Sequence, residues 1–231
     1  MSTVTGQNIT DKASILLLDI GGVRWPAATE LLGWVNSGMK EVVLQKPNAL
    51  TLTSSIPMVA GTKQTIPSTS ISLLELVRNM GADGLTPGAA IGIIDRNLLD
   101  TMNPYWHTST PATETTNFCY DLRDLKTFYC LPPQPVGTVQ KVEAVMSINP
   151  VTLTALSQVI SLDDIYETVL IDYVLYRAFS KDAEHAANMQ RADYYHKAFL
   201  SALGVKAQSE SLFSAAVKFV QKQQQAQGAP Q

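Results

Sequence analysis

Cysteine, histidine and charge are all scarce in this chain. Of 231 residues, two are cysteine and three are histidine, while Asp, Glu, Lys and Arg together make up 16%. Cys119 and Cys130 flank the polar segment Tyr120 to Lys126, a spacing that allows them to face each other across a hairpin. A disulfide is therefore geometrically possible, but the expectation for a cytosolic chain is two reduced thiols packed as small hydrophobes. With no histidines beside them they make no zinc site. Basic residues are also few. Seventeen Lys and Arg against twenty Asp and Glu give a formal net charge of −3, the wrong balance for gripping phosphate backbones. No basic segment followed by an apolar one opens the sequence, and no apolar run reaches the roughly 18 residues that would span a bilayer. The expectation is a soluble protein made in the cytosol, with no membrane partner.

Motifs of familiar chemistry are missing too. There is no Walker loop, strand-linked GxGxxG, HExxH, G-x-S-x-G or CxxC. Gly81-Ala82-Asp83-Gly84 with Gly88 is the nearest approach to a phosphate loop, and it reads as a plain turn. His185 and His196 stand eleven residues apart, about 16 Å along a helix, too far to share one ion. His107 stands alone after Tyr105-Trp106. Asp163 and Asp164 read as first-turn residues of a helix, and Arg96 with Asp100 as a local i, i+4 ion pair. The sequence thus offers no catalytic residue, no cofactor site and no metal site, and points away from an enzyme.

What is present is 45% hydrophobic residues, enough for a substantial core in a 25.1 kDa chain. Ile9, Ala13, Leu16, Leu17 and Ile20 form a helical stripe stopped by Gly21-Gly22. After Pro26, the stripe Leu31, Leu32, Val35, Met39, Val42 and Val43 runs until Lys46-Pro47. From residue 48 to 150 the period changes to strand-like. Leu50 to Thr53 alternates, Ile71 to Arg78 reads as a strand, and Ile91, Ile94, Leu98 and Met102 suggest a short helix. Residues 117–121, 127–131 and 138–148 suggest an antiparallel meander, with Pro132-Pro133 and Pro135 in its last turn. Ser161 then caps a helix with Ile165, Val169, Tyr173 and Tyr176 on its buried face. A second helix follows through Ala186, Met189, Ala192, Tyr195, Phe199 and Leu203, ending at Gly204.

These readings predict an α+β fold. Residues 1–47 and 151–205 form an antiparallel helical bundle from two helical pairs, and 48–150 form a β-rich insertion. Residues 206–231 form a C-terminal amphipathic helix and tail. In that terminal helix Leu212, Phe213, Ala216, Val217 and Val220 share one face, which either folds back on its own bundle or docks into a groove on another chain.

Several phrases, in order along most of the chain, resemble a known family. They are Leu31-Leu32-Gly33-Trp34-Val35-Asn36 with Lys46-Pro47-Asn48-Ala49, then Gly61-Thr62-Lys63-Gln64 with Ile66-Pro67 and Arg78-Asn79. Asp95-Arg96-Asn97-Leu98-Leu99-Asp100 with Pro104-Tyr105-Trp106-His107 follow, then Phe128-Tyr129-Cys130-Leu131-Pro132-Pro133. The last are Tyr173-Val174-Leu175-Tyr176-Arg177-Ala178-Phe179, Arg191-Ala192-Asp193-Tyr194-Tyr195 and Phe199. Together they resemble the head-to-tail adaptor (connector) proteins of short-tailed bacteriophages, of the tail tubular protein A type. The resemblance implies a virion protein at the head-tail junction: a homo-dodecameric ring between the capsid portal protein and the tail nozzle protein, with tail fibres as a further neighbour. DNA passes through its channel without sequence-specific binding. The apolar stripe Leu212, Phe213, Ala216, Val217 and Val220 is then the face expected, from its own spacing, to pack against portal subunits. The competing reading is a helical-hairpin scaffold that binds peptides in the host cytosol, which tandem repeats would mark; only one such hairpin is present.

Overall fold

The computed structural model describes residues 2–121, 123–182 and 186–213, with side chains described for all of these except 186 and 205–213. The fold is mixed α and β, and the chain divides into two compact units: residues 1–46 with 150–231, and residues 47–149.

The first unit is built on helices α1 (Gly6–Leu16), α2 (Leu32–Gln45), α4 (Glu167–Lys181) and α5 (Ala186–Phe213). Thr5 starts α1 with a reciprocal cap: its hydroxyl accepts from Asn8 N–H, and the Asn8 side chain accepts from Thr5 N–H at 2.8 Å. The α1 stripe is shorter than its sequence suggests. The helix ends at Leu16, and Leu16 and Ile20 are exposed. In α2 the buried positions Leu32, Val35, Met39, Val42 and Val43 keep helical spacing and face α4. Gly38 lies on that face. A Cβ there would stand 3.0 Å from Tyr173 Cδ1 and 3.2 Å from Leu170 Cδ2, so glycine lets the two helices approach closely.

Helix α4 buries Val169, Leu170, Ile171, Tyr173, Val174, Leu175 and Ala178, most of its circumference, because α1, α2 and α5 all pack on it. Ala192, Phe199 and Leu203 face it from α5. The expected helix stop at Gly204 does not occur. Gly204 has nothing within 4 Å of where a Cβ would stand, and α5 runs through it to Phe213. An exposed glycine costs a helix only about 1 kcal/mol, which the flanking turns offset.

The chain segments before α1 and α4 are laced together. Gly6 N–H donates to Gln158 O at 3.0 Å, Gln7 N–H to Leu156 O at 2.7 Å, and Ile160 N–H to Val4 O at 2.9 Å. Asn36 clamps Leu153 with two bonds, Nδ2 donating to its carbonyl at 2.9 Å and Oδ1 accepting from its N–H at 2.8 Å. Ser161, expected as a helix cap, accepts from Val151 N–H instead, and Asp163 precedes a short 3-10 turn that leads into α4 without a side-chain cap of its own. Asp164 has the larger task. Its carboxylate accepts from Ser2 Oγ (2.6 Å), Thr3 N (2.8 Å), Thr3 Oγ1 (2.8 Å) and Val4 N (3.1 Å).

The second unit holds two four-stranded sheets, ordered β1-β8-β3-β4 and β2-β7-β6-β5. Their strands are β1 (Thr51–Pro57), β2 (Gly61–Thr65), β3 (Ser70–Met80), β4 (Pro87–Ala90), β5 (Gly92–Ile93), β6 (Asn117–Asp121), β7 (Asp124–Gln134) and β8 (Lys141–Ile148). Helix α3 (Arg96–Met102) joins β5 to the loop before β6. Both sheets contribute to one core, including Ile56, Leu76, Phe118, Phe128, Val142 and Met146. Here the expected meander fails. Strands β6 and β7 pair antiparallel, but β8 leaves them to lie between β1 and β3 in the other sheet. Pro132 and Pro133 lie inside β7 rather than in the turn that follows it. Ile91 and Ile94 lie outside α3, whose N-cap is Asp95.

Register decides the fate of the cysteines. Phe118 is opposite Cys130 and Cys119 is opposite Tyr129, so the two thiols occupy opposite faces of the sheet. Cys130 packs in the main core, while Cys119 sits in a satellite cluster with Leu99 and Trp106. Both are free, and burial pushes the Cys130 thiol up to about 11. Native protein is therefore expected to resist Ellman's reagent and to release two thiols per chain in denaturant; a count of zero in denaturant would contradict this register.

Asp164 makes a second prediction. Hydrogen bonds from Ser2 and then Thr3 hold its carboxyl well below the ordinary value of 3.8. A lowered carboxylate stabilises the fold above its unfolded pKa and loses that contribution as pH falls through the folded one. The wild-type urea midpoint is expected to decline as pH drops below the ordinary carboxylate range. Asp164→Asn should start lower at neutral pH and decline less.

Candidate partner-binding surfaces

The loop from 17 to 25 of the helical unit carries apolar side chains where solvent would ordinarily select polar ones. Leu18, Ile20 and Val23 are 92%, 81% and 89% exposed. The loop is nonetheless tightly built. Asp19 accepts three backbone hydrogen bonds, from Val23 N (3.0 Å), Arg24 N (3.0 Å) and Trp25 N (2.7 Å), while Gly22 N–H donates to Asp19 O. This is an Asx-type ring in which one carboxylate satisfies a whole turn of N–H groups. Gly22 takes the left-handed conformation easily at φ 62°. Leu18 has φ 58°, a conformation that costs a side chain with a Cβ roughly 1–2 kcal/mol.

The far end of the loop is anchored by aromatic stacking and charge. The Trp25 ring lies 5.5 Å from Trp34, with the Arg24 guanidinium and the Lys181 ammonium each 5.4 Å from its centroid. Arg24 and Lys181 also pair with Asp182 and Glu30. A groove of about 580 Å³ flanks one side of the loop, lined by Leu16, Leu18, Phe179, Arg191, Tyr194 and Tyr195. Phe179 and Tyr195 stack at 5.8 Å, with the Arg191 guanidinium 5.5 Å from the Phe179 centroid. Exposed aliphatic groups beside aromatic rings and an arginine match the residue types that dominate protein interfaces.

The β unit has its own open cleft of about 770 Å³. Its charges are already committed. Arg123 makes a two-pronged contact with Asp121, and Arg96 lies 3.6 Å from Asp100. Asp95 accepts from Leu98 N–H as the cap of α3. Such a cleft is a solvated surface in which no nucleophile, base and orienter converge.

The other residues singled out from sequence have structural surroundings. His107 stacks on Trp106 at 3.7 Å, its Nδ1 2.8 Å from Thr62 Oγ1, and His196 stacks on Tyr176 at 4.5 Å. His185 lies outside the described residues. Asp83 closes the 81–86 turn by accepting from Leu85 and Thr86 N–H groups. Leu212 and Phe213 end α5, while Ala216, Val217 and Val220 lie outside the described residues. Among the described residues no helix is long and apolar enough to cross a membrane. Sequence reasoning missed the 17–25 loop because Ile20 fits the α1 period; the signal was Asp19 followed by Gly21-Gly22, an Asx turn with apolar neighbours.

Leu18 makes no buried contact that glycine would lose. Leu18→Gly is expected to raise the unfolding free energy by up to about 1 kcal/mol through relief of the left-handed backbone, read from the urea midpoint. Asp19→Ala should lower the midpoint and open residues 18–24 to limited proteolysis.

No curated protein matches the chain. The family model described as SU10 adaptor protein matches residues 4–218, which takes in both units and nearly the whole sequence. The chain therefore belongs to the SU10 adaptor protein family, the structural adaptors of phage virions.

Proposed function

We propose that this chain assembles as a ring, of twelve copies, that joins the capsid portal to the tail nozzle and leaves a channel for DNA. The observation that carries the reading is the adaptor family match over residues 4–218. The phrases from Leu31 to Phe199 add the likeness to the tail tubular protein A type. A net charge of −3 suits a channel through which phosphates pass without being held.

In this reading the helical unit is a bundle with the β unit inserted between α2 and α4. A ring of identical subunits uses two different faces of each copy, and the apolar 17–25 loop supplies one patch suited to a neighbour or to the tail nozzle. The end of the chain meets the portal. Leu212, Phe213, Ala216, Val217 and Val220 recur at helical spacing and present one apolar stripe to a groove between portal subunits.

The test is to mix purified chain with the portal protein of the same phage and follow mass by mass photometry and shape by negative stain. Twelve copies of a 25.1 kDa chain add roughly 300 kDa to the portal. Phe213→Asp should weaken portal binding at least tenfold. A chain that stays monomeric and unbound overturns the ring, and unchanged binding by Phe213→Asp overturns the portal-facing stripe alone.

A further inference from the structure

The two sheets of the β unit treat their edges differently. In the β2-β7-β6-β5 sheet both edges are blunted. Strand β5 is only two residues long, and β2 carries Lys63 with a register shift between Gly61 and Lys63. Charge, irregularity and shortness are the usual devices that stop a sheet edge from recruiting another strand. The edges of the β1-β8-β3-β4 sheet carry no charge, although β4 is short, opens on Pro87 and meets β3 through a register shift. Strand β1 reads Thr-Leu-Thr-Ser-Ser-Ile-Pro, with no charge and an unbroken seven-residue register against β8. Strand β4 reads Pro-Gly-Ala-Ala, again with no charge, and all four residues are exposed.

Hydrogen-bond parity identifies which backbone groups face outward. On β1's side, Ile148 N–H donates to Leu50 O at 3.2 Å and Met58 N–H donates to Gln140 O at 2.8 Å. Even-numbered residues of β1 therefore face β8, and Thr51, Thr53 and Ser55 turn their N–H and C=O groups to the open side. On the opposite edge, Ile91 N–H donates to Val77 O at 3.2 Å, with Ala90 opposite Arg78. Ile91 therefore faces β3 and Ala90 turns its N–H and C=O outward, ahead of the register shift toward Pro87.

Strand direction makes these edges complementary. Each neighbouring pair in the sheet is antiparallel, so β1 and β3 run one way and β8 and β4 the other. Laid beside β1 of a second copy, β4 continues the antiparallel alternation. We propose that β1 of one subunit pairs with β4 of the next, so that the β units join by backbone hydrogen bonds around the ring. The contact is head-to-tail, uses two different edges, and leaves no edge free once the ring closes. This rests on the ring reading above and names the surface that holds neighbouring copies together.

Two experiments test it on rings assembled with the portal. Thr53→Cys combined with Ala90→Cys, oxidised mildly, is expected to give a ladder of covalent oligomers on a non-reducing gel, and each single variant a monomer. Native Cys119 and Cys130 are 2% and 0% exposed and do not compete. Thr53→Pro removes an outward N–H while leaving the bonds to β8 in place. It should keep the monomer's circular dichroism and reduce ring formation at least tenfold. Wild-type rings with neither a ladder in the double variant nor a loss in Thr53→Pro overturn the edge pairing and leave the ring standing. Covalent dimers from Thr53→Cys alone overturn it in favour of a two-fold β1 contact. Failure of the wild type to form rings at all overturns both.

Discussion

Helix α4 is the element on which the helical unit depends. With α1, α2 and α5 all packed on it, few of its positions are left to water, and the sequence from Val169 to Ala178 is apolar on nearly every turn. Such a helix has little stability alone, since a stripe that wide must be covered from several sides. Gly38 sets how near α2 can come, and Tyr173 fills the space a Cβ would have taken. The end of α4 in turn fixes the exposed apolar loop. Lys181 reaches the Trp25 ring and Glu30, so the base of the apolar loop is held by the same helix that forms the core.

The loop shows how rigidity and exposure are reconciled. Three exposed aliphatic side chains on a slack loop would collapse onto the nearest apolar surface. Here the Asp19 carboxylate consumes the N–H groups of Val23, Arg24 and Trp25, and the backbone has no equally good alternative. Leu18 is held in a left-handed conformation that folding alone does not reward, a feature commonly concentrated at functional positions. A projection that is already ordered loses less entropy when a partner covers it.

The sequence places most elements but misplaces several of their ends and does not show which strands pair. The α2 stripe, its end at Lys46-Pro47, the end of α4 at Lys181 and strands β3 and β6 follow from local spacing and neighbouring residues, and they are where periodicity puts them. The partner of β8 did not follow. Alternation in Lys141–Ile148 declares a strand but says nothing of which neighbour it takes, and adjacency in sequence wrongly favoured β7. Pro132 and Pro133 misled because the end of a strand tolerates proline as readily as a turn does. Gly204 misled because a stop signal acts only where the backbone turns left-handed there, and Gly204 stays within the helix. The candidate partner surfaces were harder still. An Asx ring is visible only as Asp and glycines at short range, and a sheet edge is defined by a strand that is absent.

The order of synthesis gives the division of the chain a further meaning. Strands β1 and β8 lie side by side, from Thr51 opposite Ser147 to Pro57 opposite Lys141, so the β unit opens and closes on neighbouring strands. All its pairing partners have left the ribosome once residue 149 has emerged, and it can fold while translation continues. Helices α1 and α2 emerge before it and have no α4 to cover them until more than a hundred further residues have been made. The apolar faces of α1 and α2 are thus the segments of the nascent chain that wait longest for a partner.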